Sequence, residues 1–175
     1  MGGMIEHHPD ALTTDIATTQ TLRQAYDAHA AGLLRLCVLL SGRQDVAEEL
    51  VQETFERTAR AGALETLPQA RVGAYLRTTA LNLWKNRLRR LAIERRGRAR
   101  TASRDAGLSF EQRDELWSAV RRLPTRQRAC VVLRYYEELS EQETATLLGC
   151  SVGTVKSQTS RAIARLREEI PDVDR

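Results

Sequence analysis

Short polar side chains gather near the C-terminal end of the sequence, in the segment LSEQETATLLGCSVGTVKSQTSRAIARLREE. Thr154, Ser157, Gln158 and Arg161 recur there at helical spacing, so hydroxyl, amide and guanidinium groups share one side. Groups of these types match the donors and acceptors that base edges present in the major groove of duplex DNA. Ser151 and Gly153 open the same helix, and Lys156 and Arg165 are spaced to meet phosphates beside it. Val155, Thr159, Ala162, Ile163 and Leu166 fall on another side and supply the packing surface. An amphipathic helix with a merely solvated polar face has the same period, so the preceding elements must decide.

Those elements favour the DNA reading. Ser140 with Glu143 three residues later is a capping-box pattern, and it opens a short helix holding Ala145, Leu147 and Leu148. Gly149 lies where the chain must turn sharply, and without a side chain it can take a left-handed conformation at little steric cost. Ser151 then caps the following helix. Small Ala145 lets the two helices approach, and Val155 fills the space between them. Helix, tight turn and helix in this order carry a reading helix into the major groove.

A second cluster points to unpaired nucleic acid. Residues 71–100 contain ten basic residues against one acidic, Glu94. Arg71, Arg77, Lys85, Arg87, Arg89 and Arg90 accompany Asn82 and Trp84, which brings cations and an aromatic ring together. That pairing suits single strands, whose phosphates follow positive charge and whose bases stack on rings. Trp84 can be a stacking platform or a core residue, and the sequence leaves both open. Residues 45–56 are the reverse, with five acidic residues and no basic one. Asp45, Glu48, Glu49, Gln52, Glu53 and Glu56 line one side of a predicted helix whose other side is Ala47, Leu50, Val51, Thr54, Phe55 and Thr58. An anionic face of this kind suits a basic protein groove. The formal net charge of +4 is modest, so the segregation says more than the total.

The elements that must hold these clusters are all helical. Apolar residues at Leu22, Tyr26, Leu33, Leu36, Cys37 and Leu40 predict a first helix ending at Ser41 and Gly42, with the acidic helix starting at Asp45. Residues 62–71, with Pro68, read as a loop, and Val72, Tyr75, Leu76, Thr79 and Leu83 begin a long basic helix running to about Leu91. No strand alternation and no repeat is visible. The expected organisation is a flexible tail over 1–18, a helical domain over 19–91, a linker over 92–110 rich in Arg, Ala, Ser and Gly, a second helical domain over 111–170, and a short tail over 171–175. No module is expected to follow the reading helix.

Several function classes are disfavoured. Cys37, Cys130 and Cys150 are odd in number and far apart, which suits buried thiols better than a disulfide framework or zinc site. His7 and His8 lie in the N-terminal tail without a third ligand nearby, so neither a metal nor any other cofactor is expected. No run of apolar residues approaches a membrane span and no leader pattern opens the chain, so the expected location is cytoplasmic and away from membranes. No Gly-rich phosphate loop, HExxH or activated nucleophile pattern is present, which argues against an enzyme.

Three segments in this order resemble a known family. DVAEELVQETFERTAR over 45–60 resembles the core-polymerase-binding helix of the extracytoplasmic-function (ECF) class of bacterial RNA polymerase sigma factors, within the sigma-70 superfamily. AYLRTTALNLWKNRLRR over 74–90 is similar to their segment that recognises and melts the −10 element. The stretch over 123–167 resembles their C-terminal domain, which contacts the polymerase flap and reads the −35 element. The resemblance implies an all-α fold with a sigma region 2 bundle and a sigma region 4 helix-turn-helix domain on a flexible linker. It implies core RNA polymerase and promoter DNA as partners, duplex at −35 and melted at −10, with control by an anti-sigma factor. Asp45, Glu48, Glu49, Gln52, Glu53, Phe55 and Glu56 would bind core polymerase. Arg71, Arg77, Asn82, Trp84, Lys85, Arg87 and Arg90 would hold the −10 region, with the loop over 62–71 receiving a flipped base. Ser151, Gly153, Thr154, Lys156, Ser157, Gln158, Arg161 and Arg165 would contact the −35 region. Asn86 stands where relatives commonly have an acid, and Gln158 where they commonly have Arg. The alternative is a helix-turn-helix regulator of duplex DNA that is not a polymerase subunit, but it leaves the acidic helix without a role.

Overall fold

The structure is a computed structural model that describes residues 10–97 and 115–170, with side chains over 21–91 and 116–170. The expected tails over 1–9 and 171–175, and the linker beyond residue 97, lie outside the described residues.

Helix α1 spans Asp10–Ser41. Half of the stretch read as a flexible tail is therefore helical. Gly42 ends α1 at φ +72°, with its N–H donating to the Val38 carbonyl at 2.8 Å. Helix α2, Gln44–Arg60, buries Val46, Ala47, Leu50, Val51, Thr54, Phe55 and Thr58, the stripe its period predicts. Thr54 and Thr58 are fully buried because their hydroxyls donate back to the carbonyls of Leu50 and Thr54, at 2.6 and 2.7 Å.

Residues 62–71 are mostly not loop. A short helix α3, Ala63–Thr66, pins Ala63 and Leu64 into the core, and α4 begins early and spans Gln69–Gly97. The apolar pair at 63 and 64 supplies the anchoring that a reading based on Gly62 and Pro68 overlooked. Helix α4 also runs six residues past its expected end at Leu91. Leu36, Leu40, Leu76 and Trp84 are among the largest fully buried side chains of this bundle.

The second block holds α5 (Glu115–Arg122), α6 (Thr125–Val131), a π-helical turn (Val132–Tyr136), α7 (Glu141–Leu148) and α8 (Val152–Glu169). Pro124 separates α5 from α6 because it supplies no N–H donor to continue the first helix. Residues 127–133 are buried without a break, so α6 after Arg126 and the start of the π turn have no solvent face. The wide turn closes with Glu137 N–H to the Val132 carbonyl at 3.0 Å. Trp117 and Tyr136 pack edge to face at 5.7 Å, and Arg122 pairs with Glu169 at 2.7 Å, tying α5 to the π turn and to the end of α8. Strands are absent from the described residues. One apolar core runs continuously from the first block through Ala119, Val120, Leu123 and Leu133 of the second.

Candidate nucleic-acid interface

The reading helix is positioned by two caps and one glycine. Ser140 Oγ accepts from the Glu143 N–H at 3.1 Å, and the Glu143 carboxylate accepts from the Ser140 N–H at 2.8 Å, completing the capping box. The Ser140 hydrogen bonds hold the Glu143 carboxyl below its usual range. Gly149 lies at φ +65° and ends α7. Ser151 Oγ then accepts from the Thr154 N–H at 3.1 Å and caps α8. Val155 and Ala162 are fully buried and fix the rotation of α8. Ala145, Cys130 and Val155 form a small cluster where α6, α7 and α8 meet.

That rotation turns Ser151, Gly153, Lys156, Ser157, Arg161 and Arg165 outward, with Thr154 and Gln158 half-buried beside them. The eight predicted positions therefore run from the cap of α8 at Ser151 to Arg165 in its last third, six of them exposed and two half-buried. Two hydroxyls are already engaged: Thr154 Oγ1 lies 2.9 Å from Ser151 Oγ, and Ser157 Oγ donates to the Thr154 carbonyl at 3.0 Å. Lys156 Nζ approaches Glu141 at 3.6 Å across the two helices. Arg161 and Arg165 extend the cationic edge, and no acidic residue occupies the first turn of α8.

On α4 the predicted residues divide. At about 100° per residue, Arg71, Asn82 and Lys85 fall close together with Arg90 at their edge; Arg71, Asn82 and Arg90 are exposed and Lys85 is half-buried. Arg89, counted with the basic run in the sequence but not among the residues assigned to the −10 region, is exposed, lies seven residues from Asn82 and belongs to that face. Its spacing was the signal for including it. Arg77 is exposed on another side, where its charge acts on Glu137 of the second block, and burial outweighs it in raising the Glu137 carboxyl. Arg87 turns toward α2 and pairs with Glu49 at 2.6 Å. Trp84 corrects the stacking option: it is 2% exposed, because its position opposite Asn82 directs the ring into the bundle.

The acidic face of α2 exposes Asp45, Glu48, Glu49, Gln52 and Glu56, with Glu53 half-buried. It is laced with partners and is not a bare anionic stripe. Arg57 pairs with Glu53 at 2.6 Å, Arg60 with Glu56 at 3.3 Å, and Gln44 and Gln52 bond Glu48 and Glu56 at 2.7 and 3.0 Å. The Arg43 guanidinium, then the Val46 N–H, hold the Asp45 carboxyl down at about 2. Phe55 is buried and packs on Tyr26 at 5.0 Å, so it supports this face from beneath and does not belong to its surface.

Burial pushes the Cys37 thiol up to about 12, with help from the Glu137 charge, and Cys130 up to about 11. Cys150 is half-buried. Among the described residues, no cluster could hold a metal ion, and no helix is long and apolar enough to cross a membrane.

Comparison with known proteins agrees with this geometry. Sigma-70 region 2 matches residues 25–93, and Sigma-70, region 4 matches 113–166. An RNA polymerase sigma-E factor of Streptomyces antibioticus is 39% identical over 73% of this chain and 72% of its own length. The ECF RNA polymerase sigma factor EcfG of Rhodopseudomonas palustris is 34% identical over 85% of this chain and 84% of its own. The sigma factor RpoE of Bartonella quintana, solved in complex with the anti-sigma factor NepR, matches at a TM-score of 0.55 and 27% identity, covering 90% of this chain and 98% of that one. An all-helical chain that joins a region 2 bundle to a capped region 4 reading helix is a promoter-recognition subunit, and this chain belongs to the ECF sigma factors.

Proposed function

We propose that three surfaces of this sigma factor divide the work of transcription initiation. The acidic face of α2 docks on core polymerase, the Asn82 face of α4 holds the melted −10 strand, and the polar side of α8 from Ser151 to Arg165 reads duplex DNA at −35. The observation that carries this reading is the exposed end of α8 from Ser151 to Arg165, presented by a complete capping box and a left-handed Gly149. Arg71, Asn82, Lys85, Arg89 and Arg90 supply charge and hydrogen bonds along one strand, without help from the buried Trp84 ring. An anti-sigma factor is the expected inhibitor, supported by the complex in which the Bartonella relative was solved.

Run-off transcription with purified core polymerase on a promoter library tests function and promoter sequence together. Glu49→Lys combined with Glu53→Lys abolishes run-off product by weakening polymerase binding. The pairs these residues make with Arg87 and Arg57 are exposed and worth at most about 1 kcal/mol each, so the double variant still folds. Unchanged affinity for core enzyme in that variant refutes the α2 assignment.

A further inference from the structure

Two stacked rings join α1 to α2. Phe55 of α2 is 5% exposed, and the Tyr26 ring of α1 packs on it with centroids 5.0 Å apart and planes at 50°. By its apolar period Tyr26 belongs to the core stripe of α1 with Leu22, Leu33 and Cys37, yet 52% of it stays exposed. One side of the ring completes the core and the other faces solvent. Tyr75, Leu91 and Tyr135, the other exposed large apolar side chains of the described residues, lie on α4 and in the π turn.

The acidic face beside this ring is already partnered. Arg43 holds Asp45, Gln44 bonds Glu48, Arg87 pairs with Glu49, Arg57 with Glu53 and Arg60 with Glu56. A basic partner that takes one of these carboxylates exchanges an exposed pair within the chain for a pair across an interface, and such exchanges contribute little to affinity. Charges of this kind steer the encounter and set its register, while affinity rests on a few aromatic or arginine anchors. Phe55 lies too deep to be that anchor. Tyr26 covers it at the border of the acidic face, since Gln52 precedes Phe55 by three residues and Glu56 follows it directly.

We propose that the exposed face of the Tyr26 ring anchors the core-polymerase contact by stacking against the guanidinium of an arginine on the polymerase. Arginine fits both parts of this surface: its plane lies flat on an aromatic face, and its N–H fork suits carboxylates such as those of α2. The inference rests on the reading of α2 as the polymerase-binding face, and it extends that contact onto α1. An anchor of this type slows dissociation, whereas the carboxylates around it mainly speed association.

The test measures association and dissociation rates of the full chain on purified core polymerase for Tyr26→Ala, Tyr26→Leu and Tyr26→Phe. Tyr26→Leu keeps an apolar cover over Phe55 and removes the aromatic face. It raises the dissociation rate about tenfold and leaves the association rate within about twofold. Tyr26→Phe keeps the face and recovers most of the residence time. Thermal melts accompany each variant, and if Tyr26→Ala melts below the assay temperature the other two decide. Dissociation as slow in Tyr26→Leu as in the parent overturns the anchor, and a Tyr26→Phe that leaves as fast as Tyr26→Leu overturns the stacking. The Glu49→Lys, Glu53→Lys double variant separates this inference from the reading beneath it. Weakened binding there with an unaffected Tyr26→Leu sinks the anchor alone. Unweakened binding there defeats the α2 reading, while rapid dissociation of Tyr26→Leu would still place polymerase on the ring.

Discussion

Replacing Trp84 by alanine separates two uses of one ring. The side chain is 2% exposed and ranks with Leu36, Leu40 and Leu76 among the most deeply buried. Emptying such a site leaves a cavity, and Trp→Ala in a core costs about 3–5 kcal/mol. That is a large share of the roughly 5–15 kcal/mol that holds a native domain together. At about 2–4 °C per kcal/mol for a chain of this size, the melting temperature falls by about 6–20 °C. Trp84→Phe retains an apolar ring and loses only part of this. Thermal melts followed by circular dichroism are read beside promoter opening by the holoenzyme. The buried placement predicts a low-melting Trp84→Ala and a Trp84→Phe that melts closer to the parent and still opens promoters. An unchanged melt in Trp84→Ala together with lost promoter opening would show that the ring serves the DNA and that the packing argument fails.

Three further outcomes follow from other contacts. Ser140→Ala removes the cap that holds α7 and costs about 1 kcal/mol of stability in denaturant melts; a loss below a few tenths means the capping box carries no load. Arg161→Ala weakens binding to a cognate −35 duplex by about 1–3 kcal/mol in titrations, and an equal loss on scrambled duplex reassigns it to phosphate. Glu137 has a carboxyl raised mainly by burial, so the folded chain binds more protons than the unfolded one and stability falls as pH rises from the usual carboxylate range through the raised value. Asp45 and Glu143 are lowered and act with the opposite sign, losing stability as pH falls, so the comparison needed is parent against Glu137→Gln. Parallel stability profiles for the two chains would contradict the raised value.

Legibility in the sequence followed how local the determining physics was. The capping box, the left-handed Gly149 and the buried stripe of α2 depend on residues within one or two turns, and all three were readable. Helix ends were less so: α1 starts before its apolar period, and α3 hides between Gly62 and Pro68 because two apolar residues make no period. Side-chain roles that depend on a distant element were missed. Arg87 reads as one more cation in a basic run until α2 brings Glu49 to it, and Trp84 stays open between platform and core until the bundle closes around it. Arg128 gave no signal, because its bonds to the Leu40 and Ser41 carbonyls join positions 88 and 87 apart in the chain.

The unbroken burial of residues 127–133 bears on how this protein can vary over time. An ordinary surface helix offers its outer positions to drift at little cost, whereas a rod enclosed on every side offers none. Change along it must come as compensated exchanges with neighbours, whereas the exposed positions of α8, the surface proposed to read promoter DNA, can be exchanged at little cost to the fold.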